Sequence, residues 1–150
     1  MPSRFVFRLE RLLELRKRQV EEAQKLLARC IENVRAGQAI LQRLQEEQDN
    51  LNQSWRKIAS GALSPDRALD YQQWLESLVK SSKAATADLE NLKNEELACR
   101  ALLAKAMGRQ KSLEKLRERA LGRFIQDTNR RAQAELDDLT MLRHNLGEQQ

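Results

Sequence analysis

Residues Leu9 to Ile58 read LERLLELRKRQVEEAQKLLARCIENVRAGQAILQRLQEEQDNLNQSWRKI, and their apolar positions advance by alternating steps of four and three. The seam runs Leu9, Leu13, Arg16, Val20, Ala23, Leu27, Cys30, Val34, Gly37, Leu41, Leu44, Gln48, Leu51, Trp55 and Ile58, interrupted at Arg16, Gly37 and Gln48. A mean repeat of 3.5 residues keeps one stripe of a slightly underwound helix facing one partner helix, which is the signature of a coiled coil.

Outward from this stretch, Ser60-Gly61 marks a stop, because glycine tolerates the left-handed conformation that ends helices. Ser64-Pro65-Asp66 restarts a helix: Ser64 stands at an N-cap, Pro65 has no amide hydrogen to lose, and Asp66 complements the helix dipole. A hinge is therefore expected at about 60–65. Helix one is expected over about 4–60, capped near Ser3, and helix two over about 65–146, together forming one coiled-coil domain.

A second seam follows: Tyr71, Leu75, Leu78, Ser82, Ala85, Leu89, Leu92, Glu96, Cys99, Leu103, Ala106, Gln110, Leu113. Folding the chain back at residue 63 pairs positions that sum to about 126. Arg16 then meets Gln110, Gln48 lies within a turn of Ser82, Gly37 faces Leu89, and Cys30 lies near the level of Cys99. Trp55 and Tyr71 are expected to pack together. Polar positions meeting each other is what an antiparallel hairpin produces, since such pairs fix register. The fold class is all-α: a two-helix antiparallel coiled-coil hairpin with a longer second helix.

At 1.5 Å per residue, helix one would be about 80 Å long and helix two about 120 Å. Roughly the last 25 to 30 residues are left without a hairpin partner. Phe124, Ile125, Leu136 and Leu139 keep helical spacing there, so the overhang should be wet, fray in the free chain and order inside a partner.

The composition agrees with long helices. Charged residues make up 33% of the 150, aromatics 4%, and two prolines and five glycines provide few turns. No apolar run approaches the roughly 18 to 20 residues of a bilayer span, and no signal-peptide core follows the basic start, so the chain reads as cytoplasmic without membrane insertion. Cys30 and Cys99 both fall on seam positions, with neither a disulfide-scaffold pattern nor metal-ligand spacing, and read as reduced core residues.

The net charge of +5 is unevenly spread. Arg4, Arg8, Arg11, Arg16, Lys17 and Arg18 cluster at 4–18, and Lys105, Arg109, Lys111, Lys115, Arg117, Arg119 and Arg123 at 105–123. Antiparallel folding gathers both into one basic collar beside the overhang. Acids alternate with these bases and no aromatics interleave them, which argues against nucleic acid and leaves a solvated coiled-coil flank or a face that docks on an acidic protein surface.

Nothing points to catalysis. His144 has no nearby Cys or His, paired acids such as Glu21-Glu22, Glu46-Glu47 and Asp137-Asp138 suit solvated helix faces, and no glycine-rich phosphate loop occurs. No catalytic residue, metal or cofactor is expected. Trp74 lies off the seam between Tyr71 and Leu78, where an exposed tryptophan is a candidate anchor for a partner.

Several stretches together resemble one family. Phe5-Val6-Phe7-Arg8-Leu9-Glu10-Arg11-Leu12-Leu13-Glu14-Leu15-Arg16, followed by Val20-Glu21-Glu22-Ala23-Gln24, is similar to the start of the FliJ family of flagellar export proteins. Tyr71-Gln72-Gln73-Trp74 resembles that family's Tyr-Gln-Gln-aromatic segment, and Glu135-Leu136-Asp137-Asp138 with Arg143 resembles its acidic C-terminal motif. The resemblance implies a soluble subunit of the flagellar type III export apparatus, similar to the rotary ATPase gamma-subunit coiled coil, at the inner membrane of the flagellar base.

By the same resemblance, the end holding both termini enters the export ATPase hexamer, with Arg109, Arg117, Arg123, Phe124, Ile125 and Leu139 as its contacts. The hinge half meets the cytoplasmic domain of the export gate through positions corresponding to Leu44, Leu51, Trp74 and Leu78; where that surface carries a first-helix tyrosine, this chain has Glu47. Export chaperones are further implied partners. The rival readings are an injectisome stalk, a chaperone or adaptor for export cargo, and a plain coiled-coil scaffold.

Overall fold

The computed structural model describes residues 4–61 and 64–148. Two helices, α1 (Glu10–Ala59) and α2 (Pro65–Glu148), pack against each other, and no strand occurs among the described residues. The chain groups into two compact units, Glu21–Ala104 and Met1–Val20 with Lys105–Gln150.

In the unit Glu21–Ala104 the two helices run antiparallel across the seam. Cys30, Val34, Leu51, Leu78, Leu89 and Cys99 are all under a tenth exposed and form its core. The expected pairings occur: Cys30 Sγ lies 2.6 Å from Cys99 Sγ, and the Trp55 and Tyr71 rings stack at 5.3 Å and 55°. A Cβ at Gly37 would stand 3.1 Å from Leu92 Cδ1 and 3.2 Å from Leu89 Cδ1, so glycine permits the close approach there. One seam position is unsatisfied: the buried Ser82 hydroxyl has no hydrogen-bond partner.

The helix ends near the hinge differ in part from expectation. Ser64 Oγ accepts from the Arg67 amide at 3.4 Å, as an N-cap does, and Pro65 opens α2. Gly61, however, has no positive φ. The end of α1 is closed by local bonds, Gly61 N to the Ile58 carbonyl at 3.0 Å and Ser60 Oγ to the Lys57 carbonyl at 2.8 Å, which tighten the last turn instead of reversing it.

In the other unit, α1 begins at Glu10 rather than at about residue 4, and the Ser3 cap lies outside the described residues. Arg4–Phe7 is irregular, and a turn closed by the Glu10 amide on the Phe7 carbonyl at 3.2 Å leads into the helix. Phe5, Val6 and Phe7 are poor helix formers, and an aromatic contact outweighs extending the helix through them. Phe5 stacks on Phe124 with centroids 5.6 Å apart, and Arg117 sits 5.5 Å over the Phe5 ring. Leu13, 2% exposed, with Val20, Ala106 and Leu113 forms the core.

Two expectations fail here. Arg16 does not bond Gln110: Arg16 Nη1 donates to Gln19 Oε1 at 2.9 Å, and Gln110 Nε2 donates to Glu114 Oε1 at 2.8 Å. Long side chains at a half-exposed seam find partners on their own helix, which costs less ordering than reaching across. Phe124 is not wet either, because Phe5 covers it. From Ile125 to Glu148 every residue is exposed, yet α2 remains helical throughout; the propensities of Arg130, Arg131, Ala132, Gln133, Ala134, Glu135 and Leu136 favour it.

Candidate docking surfaces

Within Glu21–Ala104, the anchor candidate is Trp74, 59% exposed on α2. Tyr71 and Leu75 hold the seam positions, and Trp74, one residue before Leu75 and about 100° round the helix from it, stands on the flank of the seam. Leu44 is half-buried. Leu51 and Leu78 are each 6% exposed: they face the opposite helix and offer almost no surface to a partner. The residues assigned to the gate by resemblance therefore divide into two exposed or half-exposed positions and two core positions.

An open groove of about 370 Å³ lies beside them, lined by Leu51, Asn52, Trp55, Ala68, Tyr71 and Leu75 among others. It forms where Ala68 is too small to fill the space next to the Trp55–Tyr71 stack. A second groove exposes Ile40 (46%) over Gly37, with Ala84 and Ala85 on the opposite wall. Sequence reading missed this one; its signal is the small-residue run around Gly37 beside an off-seam isoleucine.

In the unit holding the termini, the basic residues are not equivalent. Arg117 is engaged: its Nε donates to Glu10 Oε2 at 3.1 Å and its guanidinium covers Phe5. Both charged groups are more than two-fifths exposed, so the pair contributes within about 1 kcal/mol and serves mainly to orient the guanidinium. Arg109 and Arg123 are exposed and take no ion-pair partner among the described residues. Ile125 and Leu139 are 49% and 57% exposed. The irregular Val6, 81% exposed, and Arg8 lie across a groove from Leu116, Arg119 and Arg123, extending the collar onto the N-terminal segment.

No group of His, Cys, Asp or Glu able to hold a metal occurs among the described residues, and no helix there is long and apolar enough to cross a membrane. What these surfaces present is apolar area, positive charge and one exposed tryptophan. The fold is that of a two-helix coiled-coil protein.

The profile of the FliJ family, described as flagellar FliJ protein, matches residues 5–149, nearly the whole chain, and the chain belongs to this family. It is thus a component of the flagellar protein-export apparatus, in a family of structural export components. No curated protein and no solved structure gives a significant match.

Proposed function

We propose that this chain is a non-enzymatic central stalk of the export apparatus, which promotes assembly of the export ATPase ring and couples it to the transmembrane export gate. The observation that supports this most is the pairing of a helical apolar stripe left bare from Ile125 onward with the free guanidiniums of Arg109 and Arg123 just before it. A bare apolar face is a docking face, and a basic collar beside it steers the tail into an acidic opening. The gate contact is assigned to Trp74 with half-buried Leu44, at the cytoplasmic face of the inner membrane at the flagellar base.

The test is co-purification with the export ATPase and measurement of the assembled mass. One copy per six ATPase subunits is expected of a stalk. One copy per cargo molecule, with no ATPase retained, would make the chain a chaperone or adaptor instead.

A further inference from the structure

The tail of α2 carries a coiled-coil face distinct from the one that meets α1. The seam covered by α1 and the segment before it reaches Leu113, Ala120 and Phe124, whereas the tail stripe is rotated one position round the helix. It runs Ile125, Thr128, Ala132, Glu135, Leu139, Leu142 and Leu146, in steps of three and four, with Leu136 along its edge and Glu135 its one charged position. Its large apolar members are 49% to 63% exposed. The Thr128 hydroxyl donates to the Phe124 carbonyl at 2.8 Å, which leaves its methyl for packing. The polar contacts Gln133–Asp137 (3.2 Å) and His144–Glu148 (2.9 Å) lie on the opposite side of the helix at about 100° per residue, so neither crosses the stripe.

Charge along the tail is segregated. Residues 119–131 carry Arg119, Arg123, Arg130 and Arg131 against Asp127; residues 135–148 carry Glu135, Asp137, Asp138 and Glu148 against Arg143. A parallel pair of tails would stack the two basic stretches on each other and the two acidic ones likewise, whereas an antiparallel pair sets basic against acidic; Glu135, near the middle, approaches its copy in either case. Arg131 and Asp138 stand one heptad apart on the same flank of the stripe, and neither has an ion-pair partner among the described residues.

We infer that two copies of this chain associate through these tails, antiparallel about a twofold axis near residues 134–135. Ile125 of one copy then packs against Leu142 and Leu146 of the other, and Arg131 lies beside Asp138 twice by symmetry. The N-terminal segment covers α2 as far as Phe124, so antiparallel pairing keeps the two covered stretches at opposite ends. Thr128 and Ala132 are small and the two Glu135 carboxylates approach each other near the axis, which makes the association weak and concentration-dependent. The inference does not rest on the export reading, because it concerns the isolated chain.

Sedimentation equilibrium of the full chain tests it. Between about 1 and 200 µM at low salt, the mass should rise from 17.4 kDa toward twice that, and about 1 M salt should oppose the rise. Leu139→Asp changes a residue that is 57% exposed and should keep its helicity while staying monomeric. Arg131→Glu and Asp138→Lys should each weaken association about tenfold, and an equimolar mixture of the two should regain it, since the swapped charges then face each other. A natural chain that stays monomeric throughout, a Leu139→Asp chain that dimerises as tightly as the natural one, or a mixture no tighter than its components would each overturn the antiparallel tail dimer. Association lost in Leu139→Asp but insensitive to both charge changes would mean a parallel pair, which equally overturns it.

Discussion

Cys30 and Cys99 share a thiol–thiol hydrogen bond, Sγ to Sγ 2.6 Å, with both residues buried where α1 and α2 cross the seam of one unit. Sixty-nine residues separate them in sequence. Mild oxidation with a diazene dicarboxamide should therefore link them within one chain, the two thiols losing two protons and two electrons to the reagent. The product should run as a monomer on a non-reducing gel and melt higher than the reduced chain, because the bond restricts the unfolded state. Disulfide-linked dimers at sub-micromolar protein would contradict the intrachain pairing.

The Cys30 thiol is pushed up from 9.0 to about 11, first by its hydrogen bond with Cys99, then by burial, with negative charge on Glu95 and Glu96 adding to it. A raised acid is held neutral in the folded chain, so its stabilising contribution is complete below pH 9 and is lost as pH climbs toward 11. Urea midpoints should fall more steeply across that window in the natural chain than in Cys30→Ala. Equal slopes would mean that the Cys30 thiol is not the source of the loss.

Gly37 is the test of how closely the helices approach. Gly37→Ala gains about 1 kcal/mol of helix propensity, but its Cβ must displace Leu92 Cδ1 and Leu89 Cδ1 from 3.1 and 3.2 Å. The two effects should leave stability within about 1 kcal/mol of the natural chain. Gly37→Leu has no such room and should cost about 1 to 3 kcal/mol. Retained stability in Gly37→Leu, read from thermal melts, would show that the helices part easily at this level.

The 3.5-residue repeat made the pairing of Cys30 with Cys99, Trp55 with Tyr71 and Gly37 with Leu89 legible, because apolar and small seam residues have little freedom once the register is set. It did not reveal the partners of Arg16 and Gln110, whose long side chains reach residues three and four positions away as readily as the facing helix. The N-terminal segment was misread as helix. Its aromatic and β-branched residues, Phe5-Val6-Phe7, were the available signal, yet a contact between Phe5 and Phe124 depends on where α2 runs, which no local pattern encodes.

Trp74 and Leu78 should separate binding from packing. Trp74 is 59% exposed, so Trp74→Ala should change stability by no more than about 0.5 kcal/mol. Its affinity for the cytoplasmic domain of the gate should drop by about tenfold or more, as expected of an aromatic anchor. Leu78 is 6% exposed, and Leu78→Ala should lower stability by about 2 to 4 kcal/mol through a cavity in the seam. Calorimetric titration of Trp74→Ala showing natural affinity would move the gate contact off this face, for instance to the groove beside Ile40.

The tail gives the last prediction. A cut after Ile125 preserves the Phe5–Phe124 contact and the Glu10–Arg117 pair, and the described residues it removes, 126–148, are all exposed. Deleting 126–150 should therefore leave the melting of the remaining chain nearly unchanged while abolishing stimulation of the export ATPase. In the dilute full-length chain, tail amides should exchange with little protection, since exposed helix without a packed face opens readily. Adding the ATPase ring should slow that exchange selectively from Ile125 onward. Natural stimulation by the deleted chain would place the ATPase contact on the collar around Arg109 and Arg123 alone, and a tail already protected when dilute and alone would mean that its apolar stripe is not free to dock.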